Sequence, residues 1–357
     1  MGAGVLSPLL SESGLTRDAT GALAMGEVPL EEIARAVGTP TYVYDAAVVR
    51  ERYRRLDAAF GDLPHHICYA VKANGNLAVL RLLAELGAGA DIVSGGELMR
   101  AIAAGFSPDR IVFSGVGKTD EELQAAIHAG VGHINVESLA ELRRLAMLAD
   151  LQGATVSVGI RVNPDVTAET HPYISTGHGG IKFGVPIDQL EAAFAVIEES
   201  GSLRLDALAM HLGSQILKPT PWVDGLAKLA TLLGQARARG HLVPVLDIGG
   251  GLGIRYRDEE PLTPDAWIGA LRDGLRATGC TIQVEPGRYL VGPAGVLLTR
   301  VVHRKHSGGR DIAQIDREFV QPSAVGRRKA TVYLLVGSHQ KGDRCGQRRK
   351  FLALHRI

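Results

Sequence analysis

Eight short apolar runs, each followed by a stretch with helical periodicity, constrain the fold of this chain more than any other feature. The runs are rich in β-branched residues and nearly continuously apolar over four or five positions, as expected for strands buried on both faces. They are HICYAVKAN (66–74), ADIVSGGE (90–97), RIVFSG (110–115), HINVES (133–138), TVSVGIRVN (155–163), LDALAMHLGS (205–214), LVPVLDIGGG (242–251) and TIQVEPGR (281–288). The alternation predicts an α/β protein with a parallel sheet.

The eight units span about 225 residues (66–288), which is the size of a TIM barrel. The predicted fold class is therefore α/β, a (β/α)8 barrel with remnants of a second, mostly β domain. A doubly wound open sheet is the alternative, but eight units would be many for it and no GxGxxG motif follows the first strand. We expect an N-terminal segment at 1–44 that belongs to the β domain, the barrel at 45–300 and a basic C-terminal segment at 301–357.

The composition is typical of a globular protein, with 46 % hydrophobic and 22 % charged residues. No run reaches eighteen apolar residues, so a membrane span is not expected. The first eighteen residues lack a basic region and a long apolar stretch, and we expect no signal peptide. Cys68, Cys280 and Cys345 are far apart without metal-binding spacing, which indicates a reducing cytoplasm.

The polar and glycine residues of the predicted barrel fall at the C-terminal ends of its strands, where barrel enzymes carry their functional groups. They are Lys72, Ser94, Ser114, Arg161, His211, Gly249 to Gly251, and Glu285 to Arg288. A lysine at a strand end commonly extends to solvent. Alternatively, desolvation lowers the pKa of Lys72 so that its amine can attack an aldehyde.

The other strand ends also permit two interpretations each. Glu285 could pair with Arg288, or it could keep a pyridine nitrogen protonated. The glycines at 249–253 could form a tight turn or an anion-binding nest. His211 could be structural, or its ring could stack on a planar cofactor while Ser214 donates to a phosphate. The connection at 163–184 is long for a compact barrel, which favours a functional loop over the substrate.

Taken together, these motifs resemble the alanine-racemase-like, fold-type III pyridoxal-phosphate enzymes, and within them the diaminopimelate decarboxylase family. The matching segments run in order from about residue 40 to 305: YAVKAN, DIVSGGEL, INVES, RVNPD, HPYISTG with KFG, HLGSQI, DIGGGLGI and EPGR. The resemblance implies pyridoxal 5'-phosphate as cofactor and decarboxylation of meso-2,6-diaminopimelate to L-lysine. It also implies a cytoplasmic homodimer that acts on a small amino acid, with no membrane or nucleic-acid partner.

The resemblance assigns roles to individual residues. It implies Lys72 as the Schiff-base lysine, Glu285 as the partner of the pyridine nitrogen and His211 stacked on the cofactor ring. Arg288 is expected to contact both phosphate and a substrate carboxylate. The remaining cofactor-binding residues that it implies are Ser214, Gly250, Gly251 and Gly287.

The resemblance stops after about Arg310. The family's C-terminal β domain carries a Cys-Glu-Ser-Gly-Asp motif that this chain lacks; Cys345 stands in a different context. Residues 303–357 contain 13 Lys and Arg against 4 Asp and Glu. This segment is either a basic tail that binds nucleic acid or an acidic partner, or the product of a frame shift or truncation, and we favour the second.

This departure bears on activity. The resemblance implies that a partner's C-terminal domain supplies a proton-donating cysteine and substrate contacts, so we expect impaired turnover here. We also expect residues 1–44 to lose their partner strands and expose apolar surface. A non-catalytic barrel that carries pyridoxal phosphate, or another basic amino-acid decarboxylase or racemase, is the alternative function.

Overall fold

A computed structural model describes residues 12–18, 21–164, 183–256, 259–308, 310–316, 331–335 and 352–354. The chain divides into two compact units. One comprises Met1–Arg52, Ile254–Glu259 and Leu290–Ile357, and the other comprises Tyr53–Gly253 and Glu260–Tyr289. Most of the loop predicted to cover the substrate, at 165–182, and Cys345 lie outside the described residues.

The first unit begins with a small antiparallel sheet. Its strands are β1 (Leu15–Arg17), β2 (Leu23–Met25) and β3 (Val28–Pro29). Helix α1 (Leu30–Val37) and strand β4 (Thr41–Tyr44) follow, as the helix, turn and strand pattern of LEEIARAVGTPTYVYD indicates.

The second unit is a closed parallel barrel preceded by helix α2 (Ala46–Phe60). Its elements in chain order are β5 (His65–Ala70), α3 (Leu77–Glu85), β6 (Gly89–Ile92), α4 (Gly95–Ala104), β7 (Ile111–Phe113), α5 (Asp120–Ala129), β8 (His133–Val136), α6 (Leu139–Gln152), β9 (Val156–Asn163), β10 (Val185–Pro186), α7 (Leu190–Glu199), β11 (Leu203–Ala209), α8 (Thr220–Ala238), β12 (Val245–Asp247), α9 (Pro264–Thr278), β13 (Thr281–Val284) and α10 (Arg288–Val291).

The pairing of the first and last barrel strands distinguishes a barrel from an open sheet. The sheet runs β9, β11, β12, β13, β5, β6, β7, β8, and β8 pairs again with β9, so the eight parallel strands form a ring. Strand β13 pairs with β5 in the register Ile282 to His65. The predicted (β/α)8 barrel is confirmed and the open sheet is wrong, because the ring is closed and each of the eight predicted runs overlaps one of its strands.

Three consecutive barrel helices use the same terminal signals. Helices α4, α5 and α6 begin after Ser94, Thr119 and Ser138, whose side chains accept a backbone N–H bond from the third residue of the helix. Each helix ends at a glycine in the left-handed conformation: Gly105, Gly130 and Gly153. Ser94, one of the polar strand-end residues, therefore caps a helix.

The barrel helices bury one face each against the sheet. Leu142, Leu145 and Leu148 of α6 are at most 2 % exposed, and each contributes about 2 kcal/mol to folding by burial. Trp222 of α8 and Trp267 of α9 are fully buried, with ring centroids 5.0 Å apart. In the part of the chain described above, no helix combines the length and the apolar character needed to cross a membrane.

The first unit continues after the barrel with four strands, β14 (Gly295–Ser307), β15 (Arg310–Ile315), β16 (Thr331–Leu335) and β17 (Leu352–Leu354). Strand β4 pairs antiparallel with β14. Leu15, Leu23 and Leu30 are buried in one cluster with Val296 and Leu298 of β14. For the described part of 1–44, the expectation that partner strands are lost is wrong at β4, because β14 supplies its pairing edge and apolar contacts.

The buried side chain of Lys118 links the connection after β7 to strand β8 and helix α6. The side chain of Lys118 is 1 % exposed, and its Nζ donates to the backbone oxygens of Gly115 and Asn135, both at 2.7 Å. The same Nζ donates to Oε1 of Glu141 at 2.6 Å. Removing one partner of a buried ion pair leaves the other charge without compensation.

We predict that Lys118→Met destabilises the protein by about 3 kcal/mol, because the Glu141 carboxylate and two carbonyls lose their donor. Urea unfolding followed by circular dichroism measures this change. The matched control is Arg144→Met, which removes an exposed ion pair with Asp120 and costs at most about 1 kcal/mol. Equal losses in the two variants would contradict a structural role for Lys118.

Candidate active site

Lys72 lies at the C-terminal end of the first barrel strand. It stands in a 3₁₀ turn, Val71–Ala73, that directly follows β5. The Lys72 Nζ donates to Oδ2 of Asp91 at 2.7 Å; the lysine side chain is 30 % exposed and the aspartate side chain is fully buried. The amine is therefore held by Asp91 at the end of a side chain that is only partly buried.

The pKa of Lys72 departs from its usual range in the direction opposite to the prediction. Burial lowers the pKa of the amine, but the carboxylates of Asp91 and Glu285 outweigh burial, and the net pKa is raised. For Asp91, burial and the nearby Glu285 raise the pKa to about 7 against the effect of Lys72. The predicted lowering was wrong because it considered desolvation without this partner. An acidic residue within the apolar strand Gly89–Ile92 was the available signal.

Glu285 lies at the end of the last barrel strand and is 7 % exposed. Ser114 Oγ donates to its Oε1 at 3.5 Å, and Asn135 Nδ2 donates to Ser114 Oγ at 3.2 Å. Burial would raise the pKa of Glu285, but the neighbouring His211 and Lys72, with a hydrogen bond to Asp247, lower it to about 2. Glu285 therefore stays ionised at neutral pH.

His211, at the end of the sixth barrel strand, connects Glu285 to the glycine turn. Its Nδ1 accepts a hydrogen bond from the Gly250 N–H at 3.3 Å and lies 3.7 Å from Oε2 of Glu285. Burial is the main cause that lowers the pKa of His211. The contact with Glu285 acts in the opposite direction and raises the pKa of the imidazole.

Asp247 anchors the glycine turn that follows the seventh strand. Its Oδ1 accepts from the Gly249 N–H at 2.8 Å, and its Oδ2 accepts from Gln283 Nε2 at 2.7 Å. Burial, together with the charge of Glu285, raises the pKa of Asp247 well above its usual range. The buried side chain of Asp247 thus holds the glycine turn in place through its hydrogen bond to Gly249.

The glycines of this turn are required by close backbone contacts. A Cβ on Gly249 would lie 2.3 Å from the Met210 oxygen, and one on Gly250 would lie 2.2 Å from the Glu285 oxygen. Gly249 and Gly251 also have positive φ angles of 71° and 102°. The backbones at the ends of neighbouring strands therefore approach one another without intervening side chains, which leaves a cradle lined by backbone.

The segment after Glu285 closes the cradle on the side of Lys72. A Cβ on Gly287 would lie 3.1 Å from the Cβ of Ala73, next to Lys72. Arg288 donates from Nη2 to Ser214 Oγ at 2.9 Å and from Nη1 to Gln215 Oε1 at 3.5 Å. A cationic side chain and a hydroxyl group thus lie together beside the glycine turns.

These residues fit the chemistry of pyridoxal phosphate. An amine for the aldehyde, an ionised carboxylate for the ring nitrogen, and a glycine cradle with an arginine and a serine for the phosphate all lie at the same end of one barrel. All eight predicted site residues belong to this unit: Lys72, His211, Ser214, Gly250, Gly251, Glu285, Gly287 and Arg288. Direct contacts join Ser214 to Arg288 and His211 to Gly250. The individual roles in holding the cofactor remain predictions.

We predict that Asp91→Asn shifts the attachment of cofactor to lower pH. The substitution removes the carboxylate that raises the pKa of Lys72, so the amine loses its proton at a lower pH and becomes nucleophilic there. The rate at which bound-cofactor absorbance appears after mixing with cofactor-free protein, recorded as a function of pH, measures the midpoint. Asp57→Asn, an exposed residue paired with His65, is the control, and a midpoint that rises or stays unchanged in Asp91→Asn contradicts the assignment.

We predict that Gly250→Ala weakens binding of pyridoxal phosphate by tenfold or more, equivalent to about 1.4 kcal/mol, because its Cβ forces the turn away from Glu285. The control is Gly234→Ala in α8, where a Cβ meets nothing within 4 Å. That variant should gain about 0.5–1 kcal/mol of stability and keep its affinity. Equilibrium dialysis with pyridoxal phosphate compares them, and equal affinities would refute the cradle.

Comparison with known proteins identifies the same chemistry. The family model described as the pyridoxal-binding domain of pyridoxal-dependent decarboxylases matches residues 46–292. The diaminopimelate decarboxylase of Pseudomonas aeruginosa is 48 % identical over 299 residues, which is 83 % of this chain and 72 % of the relative. The corresponding protein of Vibrio cholerae is 43 % identical over 307 residues, 85 % of this chain and 74 % of the relative.

Solved structures agree in fold. Diaminopimelate decarboxylase from Helicobacter pylori, crystallised with L-lysine, has a TM-score of 0.78 at 37 % identity, covering 81 % of this chain and 73 % of that chain. The enzyme from M. jannaschi has a TM-score of 0.81 at 33 % identity, covering 86 % of this chain and 74 % of that chain. The site around Lys72, the family model and these relatives agree. The chain belongs to the diaminopimelate decarboxylase family of fold-type III pyridoxal-dependent decarboxylases.

Proposed function

We propose that this chain binds pyridoxal 5'-phosphate and decarboxylates meso-2,6-diaminopimelate to L-lysine. The observation that carries the proposal is the arrangement at one end of the barrel, where the Lys72 amine contacts Asp91 at 2.7 Å and shares its surroundings with the ionised Glu285. The substrate is supported by the similarity to diaminopimelate decarboxylases, two of which are crystallised with L-lysine.

In this reaction the bond between the substrate Cα and its carboxylate breaks. Carbon dioxide leaves, and one proton takes its place on Cα. Pyridoxal phosphate, when bound, supplies an electron sink for the electron pair left on Cα. The task of the protein is to hold the cofactor and the substrate so that this bond is the one that breaks, and to control the protons around them.

The geometry supports a division of roles among the strand ends. Lys72 would hold the cofactor through its aldehyde carbon, and Glu285, with a pKa of about 2, would keep a proton on the ring nitrogen. His211 offers a flat ring for stacking. Ser214 and Arg288 would bind phosphate with the backbone of Gly250, Gly251 and Gly287, and Arg288 would also reach a substrate carboxylate.

We further propose that the ligand is a small amino acid, that the protein is a cytoplasmic homodimer, and that residues after about Arg310 depart from the family's C-terminal domain. The thiols of Cys68 and Cys280 are free and buried, which is consistent with a reducing compartment. The sequence after Arg310 lacks the family's cysteine motif. For this reason a cofactor-binding barrel with little or no turnover is the second candidate function.

A single preparation separates these functions. We expect the purified chain to retain a coloured cofactor, and borohydride reduction followed by peptide mass mapping to find that cofactor on Lys72. Release of carbon dioxide from meso-diaminopimelate, with L-lysine as co-product, then establishes the reaction. Cofactor retention without carbon dioxide supports the carrier, and absence of any cofactor overturns both functions.

The matched pair of variants is Lys72→Ala and Lys305→Ala, the second being an exposed lysine of β14. We predict that Lys72→Ala loses the reducible linkage and decarboxylation together, because no other amine among the described residues contacts Asp91. Lys305→Ala should keep both. Persistent decarboxylation in Lys72→Ala would remove this residue from the reaction.

A further inference from the structure

The carboxylate of Glu137, just after strand β8, contacts two connections of the barrel and a side chain of strand β9. Its Oε1 accepts from the Gly115 N–H at 3.0 Å and from Arg161 Nη1 at 2.8 Å. Its Oε2 accepts from the Gly184 N–H at 2.9 Å. The side chain is 2 % exposed. One buried charge therefore has three described donors from segments far apart in the chain.

Two of these donors lie on glycines with special backbone geometry. Gly115 has a φ of 103° and Gly184 a φ of 80°, in the region that favours glycine. A Cβ on Gly184 would lie 2.8 Å from the Asn163 backbone nitrogen. Both turns thus depend on glycine to bring their N–H groups to the same carboxylate. The backbone around Glu137 is therefore shaped to bind this side chain.

The third donor, Arg161, places a positive charge at the same end of the barrel as Lys72. The Arg161 side chain is 11 % exposed, and its guanidinium carbon lies 4.9 Å from the centroid of the Phe183 ring. Although other causes decide the net values, the charge of Arg161 lowers the pKa of Lys72 and that of His211. Arg161 pairs with Ala209, two residues before His211, in the register of β9 and β11, so it lies at the strand end that also carries the site, and Glu137 and Phe183 restrict its guanidinium.

We propose that Glu137 is a positioning residue for the decarboxylation proposed above: it holds the Arg161 guanidinium beside the Lys72 site and offsets part of its charge. The inference rests on the proposed function but concerns a residue outside the lysine, glycine and phosphate contacts. A buried arginine without a partner would be strongly unfavourable, so the fixed position of Arg161 depends on this carboxylate.

Other charged groups around the site act on the same two residues. Lys72 faces Asp91 and Glu285 as well as Arg161. His211 faces Glu285, Lys72 and Arg161. An experiment on Glu137 must therefore separate its effect through Arg161 from any general change in these surroundings.

The test is a double-mutant cycle with Glu137→Gln and Arg161→Met. The amide keeps the shape and one acceptor oxygen of Glu137 but loses the charge, so Arg161 stays near Lys72 without compensation. Two pH titrations are recorded: the absorbance of the bound cofactor, and the His211 ring signal in cofactor-free protein by NMR, assigned with His211→Gln. We expect both midpoints to move to lower pH in Glu137→Gln.

The dependence on Arg161 decides the outcome. In the Arg161→Met background, Glu137→Gln should cause no further shift in either titration. An unchanged or raised midpoint in the single variant, or an equal shift in both backgrounds, overturns the proposal. If Glu137→Gln does not fold, Glu137→Asp replaces it: this variant keeps the charge but is one methylene too short to serve all three donors, and the same dependence on Arg161 is required.

The control variant is Glu122→Gln. Glu122 also accepts backbone bonds from two connections, from the Gly95 N–H at 2.7 Å and the Thr119 N–H at 3.0 Å, but it has no arginine partner among the described residues. It should leave both midpoints unchanged. Because the NMR titration needs neither cofactor nor substrate, it tests Glu137 even if the chain proves unable to decarboxylate diaminopimelate.

Discussion

The pairing of β13 with β5 is the constraint on which the rest of the site depends. Lys72 follows the first barrel strand and Glu285 follows the last, and only closure of the ring makes these two strands neighbours. In an open sheet the first and last strands need not be neighbours, and Lys72 and Glu285 would then not be brought together. Closure also brings Gly287 against Ala73, so the cofactor cradle and the reactive amine share one wall.

Burial inside the ring places three carboxyl groups so close together that their negative charges repel one another. Asp91, Asp247 and Glu285 are all buried carboxylates, and several negative charges in a small volume of low dielectric cannot coexist without cost. Burial and the charge of Glu285 raise the pKa values of Asp91 and Asp247. Glu285 stays ionised because His211 and Lys72 stabilise its charge against burial. The carboxylate with the lowest pKa is therefore the one expected at the ring nitrogen.

A recurring contact makes the functional end of the barrel rigid. Carboxylates at the start of a helix or the end of a strand accept backbone N–H groups: Glu97 from Val93 in its own connection, Glu122 from Gly95, and Glu137 from Gly115 and Gly184. Each bond satisfies a backbone donor that a strand end leaves without a ladder partner. Lys118 adds the complementary contact by donating to two carbonyl groups. The reactive side chains thus rest on connections that are held at several points.

Much of the architecture is local in origin and could be predicted. Each barrel strand is a short apolar run, and each polar residue at its end marks where buried backbone gives way to solvent, so the positions of Lys72, His211 and Glu285 followed from periodicity. The limits of helices α4, α5 and α6 are also local, because capping serines or threonines begin them and glycines end them. The family motifs then assigned roles to these positions, which periodicity alone left open.

Other properties arise only when distant segments meet. The pKa of Lys72 is raised by a carboxylate on the next strand, and desolvation considered alone predicts the opposite direction. Glu137 stands in the matching INVES segment, but no role could be assigned to it from sequence, because its three donors come from two connections and from strand β9. Strand β4 finds its partner in β14, more than two hundred residues later. Periodicity reports which face of a segment is buried, but which charges and strand edges meet there is decided by the closed barrel and by the packing of remote parts of the chain.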